Sequence, residues 1–176
     1  SMLMTLDAAA LWQQRNIALL KEMKGNAPDS ERRFYQNIID TLENVPENPP
    51  RNFREAVQSL WSLYAFHRLM GNWSGIGRFD QMYLEADLQK GKITLDEARE
   101  LIAHFWIKGT EWIGEFNGSG DAQFYQNIIL GGIDKDGNEV TNPITYLVLD
   151  VVEELHISDY PIAVRIGDHT PEKLFR

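Results

Sequence analysis

The feature that most constrains this chain is the run Val45-Pro46-Glu47-Asn48-Pro49-Pro50. Proline lacks the backbone N–H, fixes φ, and pushes the residue before it out of helical geometry. No helix or interior strand can therefore cross residues 46–50. The expectation is a set of N-terminal helices over residues 1–48 and a second part over residues 49–176, packed as a single compact unit. Before the run, Leu11, Trp12, Asn16, Leu19, Leu20 and Met23 recur at intervals of three and four. That spacing predicts a helix capped by Thr5 and stopped by Gly25. A second helix is expected to open at Asp29 or Ser30, with Phe34, Ile38, Leu42 and Val45 on one face.

After the run, Asn52 and Glu55 form a capping-box pattern, and Phe53, Ala56, Val57, Leu60, Trp61, Tyr64 and Ala65 make a buried stripe behind it. The segment Gly71-Asn72-Trp73-Ser74-Gly75-Ile76-Gly77 is too rich in glycine for a helix. A short helix is expected over residues 79–88. Thr94 and Glu97 form a second capping box, leading a helix that buries Leu95, Ala98, Leu101, Ile102, Phe105 and Trp112. Residues 114–121 read as loop. Residues 124–130 read as a buried strand closed by Gly131-Gly132, and 134–138 as a turn. Asn142 caps a helix with Pro143 at its first position, lined by Tyr146, Leu147, Val151 and Leu155. Residues 161–166 read as a further strand, and Thr170-Pro171-Glu172 opens a last helix. A helical first half followed by strand, helix and strand predicts a helix-rich α/β fold.

The hexapeptide Phe-Tyr-Gln-Asn-Ile-Ile occurs at 34–39 and again at 124–129. The flanks share nothing, so it is not a repeat. Its six residues suit helix or strand, and context assigns the first copy to one and the second to the other.

Composition narrows the function classes. The net charge of −9 repels phosphate backbones and anionic lipid, and no cluster of Lys and Arg offsets it. No nucleic-acid partner and no membrane partner are expected. No apolar stretch reaches the roughly 18 residues a membrane span needs. Ser1-Met2-Leu3-Met4 lacks the basic and apolar regions of a signal peptide, so a cytoplasmic location is expected. With 43% hydrophobic residues, the chain has enough apolar material for a core. It has no Cys, which removes disulfides, thiolate nucleophiles, iron–sulfur ligation and Cys-based zinc sites.

Specific chemistry is sparse. His67, His104, His156 and His169 show no i, i+4 pair and no His-Glu-x-x-His, so each reads as structural or surface and no metal is expected. Asp134 to Asn138 resembles a calcium loop only faintly, because Gly137 is fourth where the pattern needs its glycine sixth. A plain turn is the better reading. Gly71, Gly75 and Gly77 lack the Gly-Lys-Ser/Thr of a phosphate loop. Arg78 and Asp80 suit an ion pair, and no Ser/His/Asp set can be assembled. No catalytic residue is assigned.

Four stretches in order resemble the glycyl radical enzymes of the pyruvate formate-lyase-like family. Pro50-Arg51-Asn52-Phe53-Arg54-Glu55-Ala56-Val57-Gln58-Ser59-Leu60-Trp61 resembles its helix of a proline followed by F-x-E-A-[LV]-Q. Gly77-Arg78-Phe79-Asp80-Gln81-Met82-Tyr83 is similar to G-R-[FM]-D-Q-Y. Gln126-Asn127-Ile128-Ile129-Leu130-Gly131-Gly132-Ile133-Asp134, followed by Thr141-Asn142, is similar to Q-N-x-x-L-G-G-[VI]-D and then T-N. Ala163-Val164-Arg165-Ile166 with Thr170-Pro171-Glu172 resembles S-V-R-[IV] and T-P-[DE]. The third stretch lies nearer the glycerol/diol dehydratase and choline lyase branch.

The resemblance implies a partial (β/α) half-barrel of the glycyl radical enzyme type. It implies radical cleavage of a C–C, C–O or C–N bond in a small polar substrate. The parent family uses a glycyl radical installed by a radical S-adenosylmethionine activating enzyme, and a Cys that becomes a thiyl radical. This chain has no Cys and no R-V-x-G-[YF] loop, so no cofactor is expected in it and alone it is expected to be inactive. Many relatives carry His and Ser before G-R-[FM]-D, where this chain has Asn72 and Trp73; some carry His after S-V-R-[IV], where it has Gly167. Barrel sites form where strand ends and loops converge. On that basis Trp73, Ser74, Arg78, Asp80, Asn127 and Arg165 are the candidate substrate-binding residues. Arg78–Asp80 and Arg165 could equally tie strands to helices. The alternative function is a non-catalytic helical binding module. As a fragment with open strand edges, the chain is expected to self-associate.

Overall fold

A computed structural model describes residues 2–69, 77–80, 84–109, 127–157 and 161–176. The chain divides into two compact units, Ser1–Leu69 and Met70–Arg176.

The first unit is helical: α1 (Met2–Asn26), α2 (Asp29–Leu42) and α3 (Phe53–Leu69). Helix α1 begins three residues before Thr5 and runs one past Gly25, so neither residue ends it. Its buried face follows the expected stripe only in part, with Trp12, Asn16 and Leu20 half-buried. Leu11, Leu19 and Met23 are exposed, whereas Gln13 is buried. The reason is a capping task. Gln13 Nε2 donates to the carbonyls of Leu42, at 3.2 Å, and Val45, at 2.8 Å. These carbonyls lie at and beyond the C-terminus of α2, where the helix cannot satisfy them itself. On the face expected for α2, Val45 is buried and Ile38 and Leu42 are half-buried, but Phe34 is exposed, and Ile39 is buried beside them. The turn at 45–50 joins α2 to α3 within this unit, with the Val45–Pro46 peptide cis.

Helix α3 follows expectation: Phe53, Ala56, Val57, Tyr64 and Ala65 are buried, and Leu60 and Trp61 half-buried. Asn52 Oδ1 accepts the Glu55 N–H at 2.9 Å. The Glu55 carboxylate is buried among Arg51 and Asn44, accepting the Arg51 N–H at 2.8 Å and Asn44 Nδ2 at 2.8 Å.

The second unit holds β1 (Gly77–Arg78), α4 (Leu84–Gln89), α5 (Leu95–Gly109), β2 (Ile128–Gly131), α6 (Pro143–Leu155), β3 (Ile162–Arg165) and a 3-10 turn at Glu172–Phe175. The strands form one parallel sheet in the order β1-β2-β3. Three sequence expectations change here. Gly77–Arg78 is a strand; Phe79 and Asp80 follow it and lie in no helix, and α4 spans Leu84–Gln89; the segment after Pro171 is 3-10, not α. A two-residue strand behind a glycine-rich stretch carries no alternation to read. Residues 124–126 and Trp112 lie outside the described residues.

Register fixes which side chains share a face. Arg78 pairs with Ile129, and Gly131 with Arg165. Side chains alternate along a strand. Phe79, Ile128, Leu130, Ile162 and Val164 therefore share one face, and Arg78, Ile129, Gly131, Ala163 and Arg165 the other. The first face meets α5: the Phe79 ring lies 5.0 Å from that of Phe105 and 5.4 Å from that of Trp106, all buried. Trp106 was not among the expected core residues, whereas the expected Leu95 is exposed. The Thr94–Glu97 capping box is present, each residue's backbone N–H bonded to the other's side chain. Asn142 and Thr145 form a further box at the start of α6, with Pro143 at its first position.

Candidate functional site

Parallel strands bring their C-terminal ends together, and the three sequence motifs of the second unit meet there. Asp80 is fully buried. Its Oδ1 accepts Arg78 Nε at 3.1 Å, and its Oδ2 accepts the Gly131 N–H at 2.6 Å and Thr145 Oγ1 at 2.7 Å. Its backbone carbonyl accepts Asn142 Nδ2. Arg78 Nη2 donates to the Gly131 carbonyl at 2.5 Å. One carboxylate thus fastens the end of β1 to the end of β2 and to the first turn of α6.

A lone buried carboxylate is strongly unfavourable. This one is compensated three ways: a guanidinium beside it, two further donors, and the positive end of the α6 peptide dipoles. Protein donors thus reach both oxygens of Asp80.

Gly131 and Gly132 have φ of +63° and +92°, a backbone that L side chains rarely adopt. At Gly132 there is a second requirement. A Cβ there would sit 2.8 Å from Arg165 Cβ and 3.1 Å from Arg165 Cδ. The missing side chain leaves a slot that the aliphatic stem of Arg165 fills. Among the described residues the Arg165 guanidinium makes no hydrogen bond or ion pair, and the residue is exposed.

A second carboxylate ties down the segment beyond β3. Glu139 Oε1 accepts the Thr141 N–H at 2.9 Å and Thr141 Oγ1 at 2.6 Å, and Oε2 accepts Thr170 Oγ1 at 3.1 Å. The Thr141 hydroxyl is the chief reason that the Glu139 carboxyl titrates below its ordinary range. The 134–138 segment is a turn closed on itself. Asp134 Oδ1 accepts the N–H groups of Asp136 and Asn138 at 2.8 and 2.9 Å, and the Asn138 side chain holds the Asp134 carboxyl below its ordinary range. No group of three or more His, Cys, Asp or Glu that could hold a metal occurs among the described residues.

Of the six candidate residues, the structure brings Arg78, Asp80 and Arg165 to the C-terminal ends of the sheet. Asn127 is exposed and immediately precedes β2. It therefore lies at the opposite end of the sheet, about 13 Å along the strand from Gly131. Trp73 and Ser74 lie outside the described residues. Sequence reading did not connect Thr145 or Gly131 with Asp80. The Asn142-Pro143 cap marked that turn of helix, but nothing local points to a partner 65 positions away.

Comparison with known proteins gives this geometry its setting. The family description "Pyruvate formate lyase-like" matches residues 1–176. Isethionate sulfite-lyase of Nitratidesulfovibrio vulgaris is 33% identical, over 95% of this chain and 22% of that protein. Hydroxyproline dehydratase of Clostridioides difficile, in a crystal structure with trans-4-hydroxy-L-proline bound, superposes with a TM-score of 0.83 at 25% identity. That match covers 95% of this chain and 23% of the dehydratase. A glycyl radical enzyme from Archaeoglobus fulgidus gives a TM-score of 0.81 at 29% identity, over 96% of this chain and 23% of the other.

The fold is thus a helix-rich α/β portion of the glycyl radical enzyme architecture, spanning between a fifth and a quarter of the length of these relatives. The chain belongs to the pyruvate formate lyase-like family. No helix among the described residues is long and apolar enough to cross a membrane.

Proposed function

We propose that this chain forms part of a glycyl radical lyase or dehydratase that cleaves a C–C, C–O or C–N bond in a small polar substrate. The observation that carries this reading is the junction at the C-terminal ends of β1, β2 and β3. There Asp80 and Arg78 fix the glycine turn, and the turn sets Arg165 on the sheet face opposite α5. In this reading Arg165 contacts substrate, while Arg78 and Asp80 position the strand ends. Radical chemistry needs a hydrogen-abstracting Cys and a radical-bearing Gly, and the 176 residues contain no Cys. Those groups come from residues outside this stretch, and a radical S-adenosylmethionine activating enzyme is the partner that would install the radical. The setting is cytoplasmic.

By itself the chain is catalytically silent in this reading. Anaerobic incubation of the 176-residue chain with an activating enzyme and S-adenosylmethionine is expected to give no glycyl doublet by electron paramagnetic resonance. A doublet on this chain overturns the assignment of roles. The chain alone also self-associates. Among the described residues β1 and β3 are the sheet edges, and Ile133, Ile166 and Phe175 are exposed. Light scattering at micromolar concentration checks this, and a clean monomer counts against it.

A further inference from the structure

Two arginines stand on the sheet face opposite α5, and their fates differ. Arg78 is consumed within the fold: its guanidinium is shared between the Asp80 carboxylate and the Gly131 carbonyl. Arg165 has its stem packed in the fold, and its head has no partner among the described residues. It pairs in register with Gly131, and its Cβ and Cδ lie in the slot that Gly132 leaves. Fixing the stem matters for recognition. An exposed Arg on a mobile stem loses rotamer freedom whenever it grips a ligand, and that cost falls when packing has already removed the freedom.

The surroundings also set the sign of what Arg165 can hold. The two carboxylates that tie down this end of the sheet, Asp80 and Glu139, make their hydrogen bonds to other residues. Asp80 is occupied by Arg78, Gly131 and Thr145; Glu139 is occupied by Thr141 and Thr170. In a chain of net charge −9, a guanidinium with no hydrogen bond or ion pair among the described residues is conspicuous. A planar fork of N–H donors matches an oxyanion with two or three equivalent oxygens better than it matches a hydroxyl.

We propose that Arg165, seated by Gly132, is the anion-recognition residue of this site, and that the substrate is a small organic acid gripped through its carboxylate or sulfonate. This rests on the reading of the site as a substrate pocket, and it deepens that reading by excluding neutral diols and polyols as preferred ligands. The part played by Gly132 is positional: any side chain there displaces the Arg165 stem before the guanidinium meets a ligand.

The test is binding, so it does not depend on the radical. The protein as encoded is titrated with glycolate, with methanesulfonate, and with ethylene glycol as the neutral counterpart of glycolate. The readouts are calorimetry and the 15Nε resonance of Arg165. The expected result is saturable binding of at least one anion, with a shift of the Arg165 resonance and little response to the diol. R165Q is expected to weaken the anion by about tenfold or more, with R165K intermediate, since an ionic hydrogen bond of ordinary strength is worth at least that factor. G132A is expected to weaken it while Arg165 keeps its charge. A carboxylate response with no sulfonate response assigns the former source, and the reverse assigns the latter.

Equal binding of glycolate by wild type and R165Q overturns the proposal. So does ethylene glycol binding as tightly as glycolate. An Arg165 resonance already shifted and protected without ligand also overturns it, because the guanidinium would then be paired within the protein. Circular dichroism of R165Q separates lost binding from lost fold; if R165Q does not fold, the G132A titration and the wild-type resonance decide. An absent glycyl doublet in the activated full protein would instead sink the enzymatic reading and leave these binding results standing.

Discussion

Glu55 and Asp80 are both buried carboxylates paired with an arginine, and they hold their parts of the molecule in opposite ways. Glu55 gathers near neighbours. Its partners are Arg51, four residues away, and Asn44, eleven away. It organises the entry to α3 just after the proline turn. Asp80 gathers strangers. Apart from Arg78, its side-chain partners are 51 and 65 positions away. The solvent differs too: the Arg51 side chain is 64% exposed, that of Arg78 only 19%. A buried carboxylate whose arginine stands in solvent and whose partners are local can be lost at smaller cost. A non-local, dry one cannot, because its removal leaves several strand ends with unmet donors. The difference separates a carboxylate that shapes a turn from one that holds a sheet to its helix.

The comparison breaks most readily at Asp80. D80A leaves Arg78 Nε, the Gly131 N–H and the Thr145 hydroxyl without their acceptor. The expected loss is about 3–5 kcal/mol in urea unfolding. D80N keeps the shape and one acceptor oxygen and is expected to lose less. A loss for D80A below that of E55A would reverse the ranking.

A pH series sharpens the other side. Arg51, chiefly by its side-chain hydrogen bonds, holds the Glu55 carboxyl below its ordinary value of 4.5. A folded value below the unfolded one means that the stabilisation is complete above 4.5 and fades as the pH falls through the depressed value. E55Q is therefore expected to cost about 1 kcal/mol at pH 7, and less as the pH approaches 3. Urea midpoints for wild type and E55Q from pH 7 to 3 check this, and a gap that widens toward acid contradicts it.

The smallest effect belongs to Arg99, which spans α5 and α6 on the surface to Glu154 at 2.7 Å and Asp150 at 3.5 Å. Both partners are mostly exposed, so R99A is expected to cost under about 1 kcal/mol and to lose even that in high salt. A salt-insensitive loss above that range would place Arg99 with the dry group.

What could be read from the sequence follows the same division between near and far. The Thr94–Glu97 box, the Asn142-Pro143 start of α6 and the inward stripe of α3 are local patterns, and the structure contains each of them. Residues chosen by distant partners were misread. Gln13 is buried although polar, because the carbonyls of Leu42 and Val45, some thirty residues on, require its amide. Leu11 and Leu19 were expected inside and are exposed. Strand β1 is too short to show alternation, and only its pairing with β2 defines it. At the site, Arg78 and Asp80 were legible as a pair. Their shared partner Gly131 was not, since a glycine ending a strand signals a turn and says nothing about which carboxylate its N–H will meet.

The hydrogen bond from Arg78 to Gly131 spans 53 positions of chain. A ribosome adding about 5–20 residues per second needs roughly 3–10 s to cover that interval. For those seconds β1 has been synthesised, but the β2 carbonyl that will receive Arg78 does not yet exist. Charge at that edge then has a use in time as well as in space. An Arg and an Asp at the end of a bare two-residue strand make it a poor template for stray pairing until its own neighbour arrives.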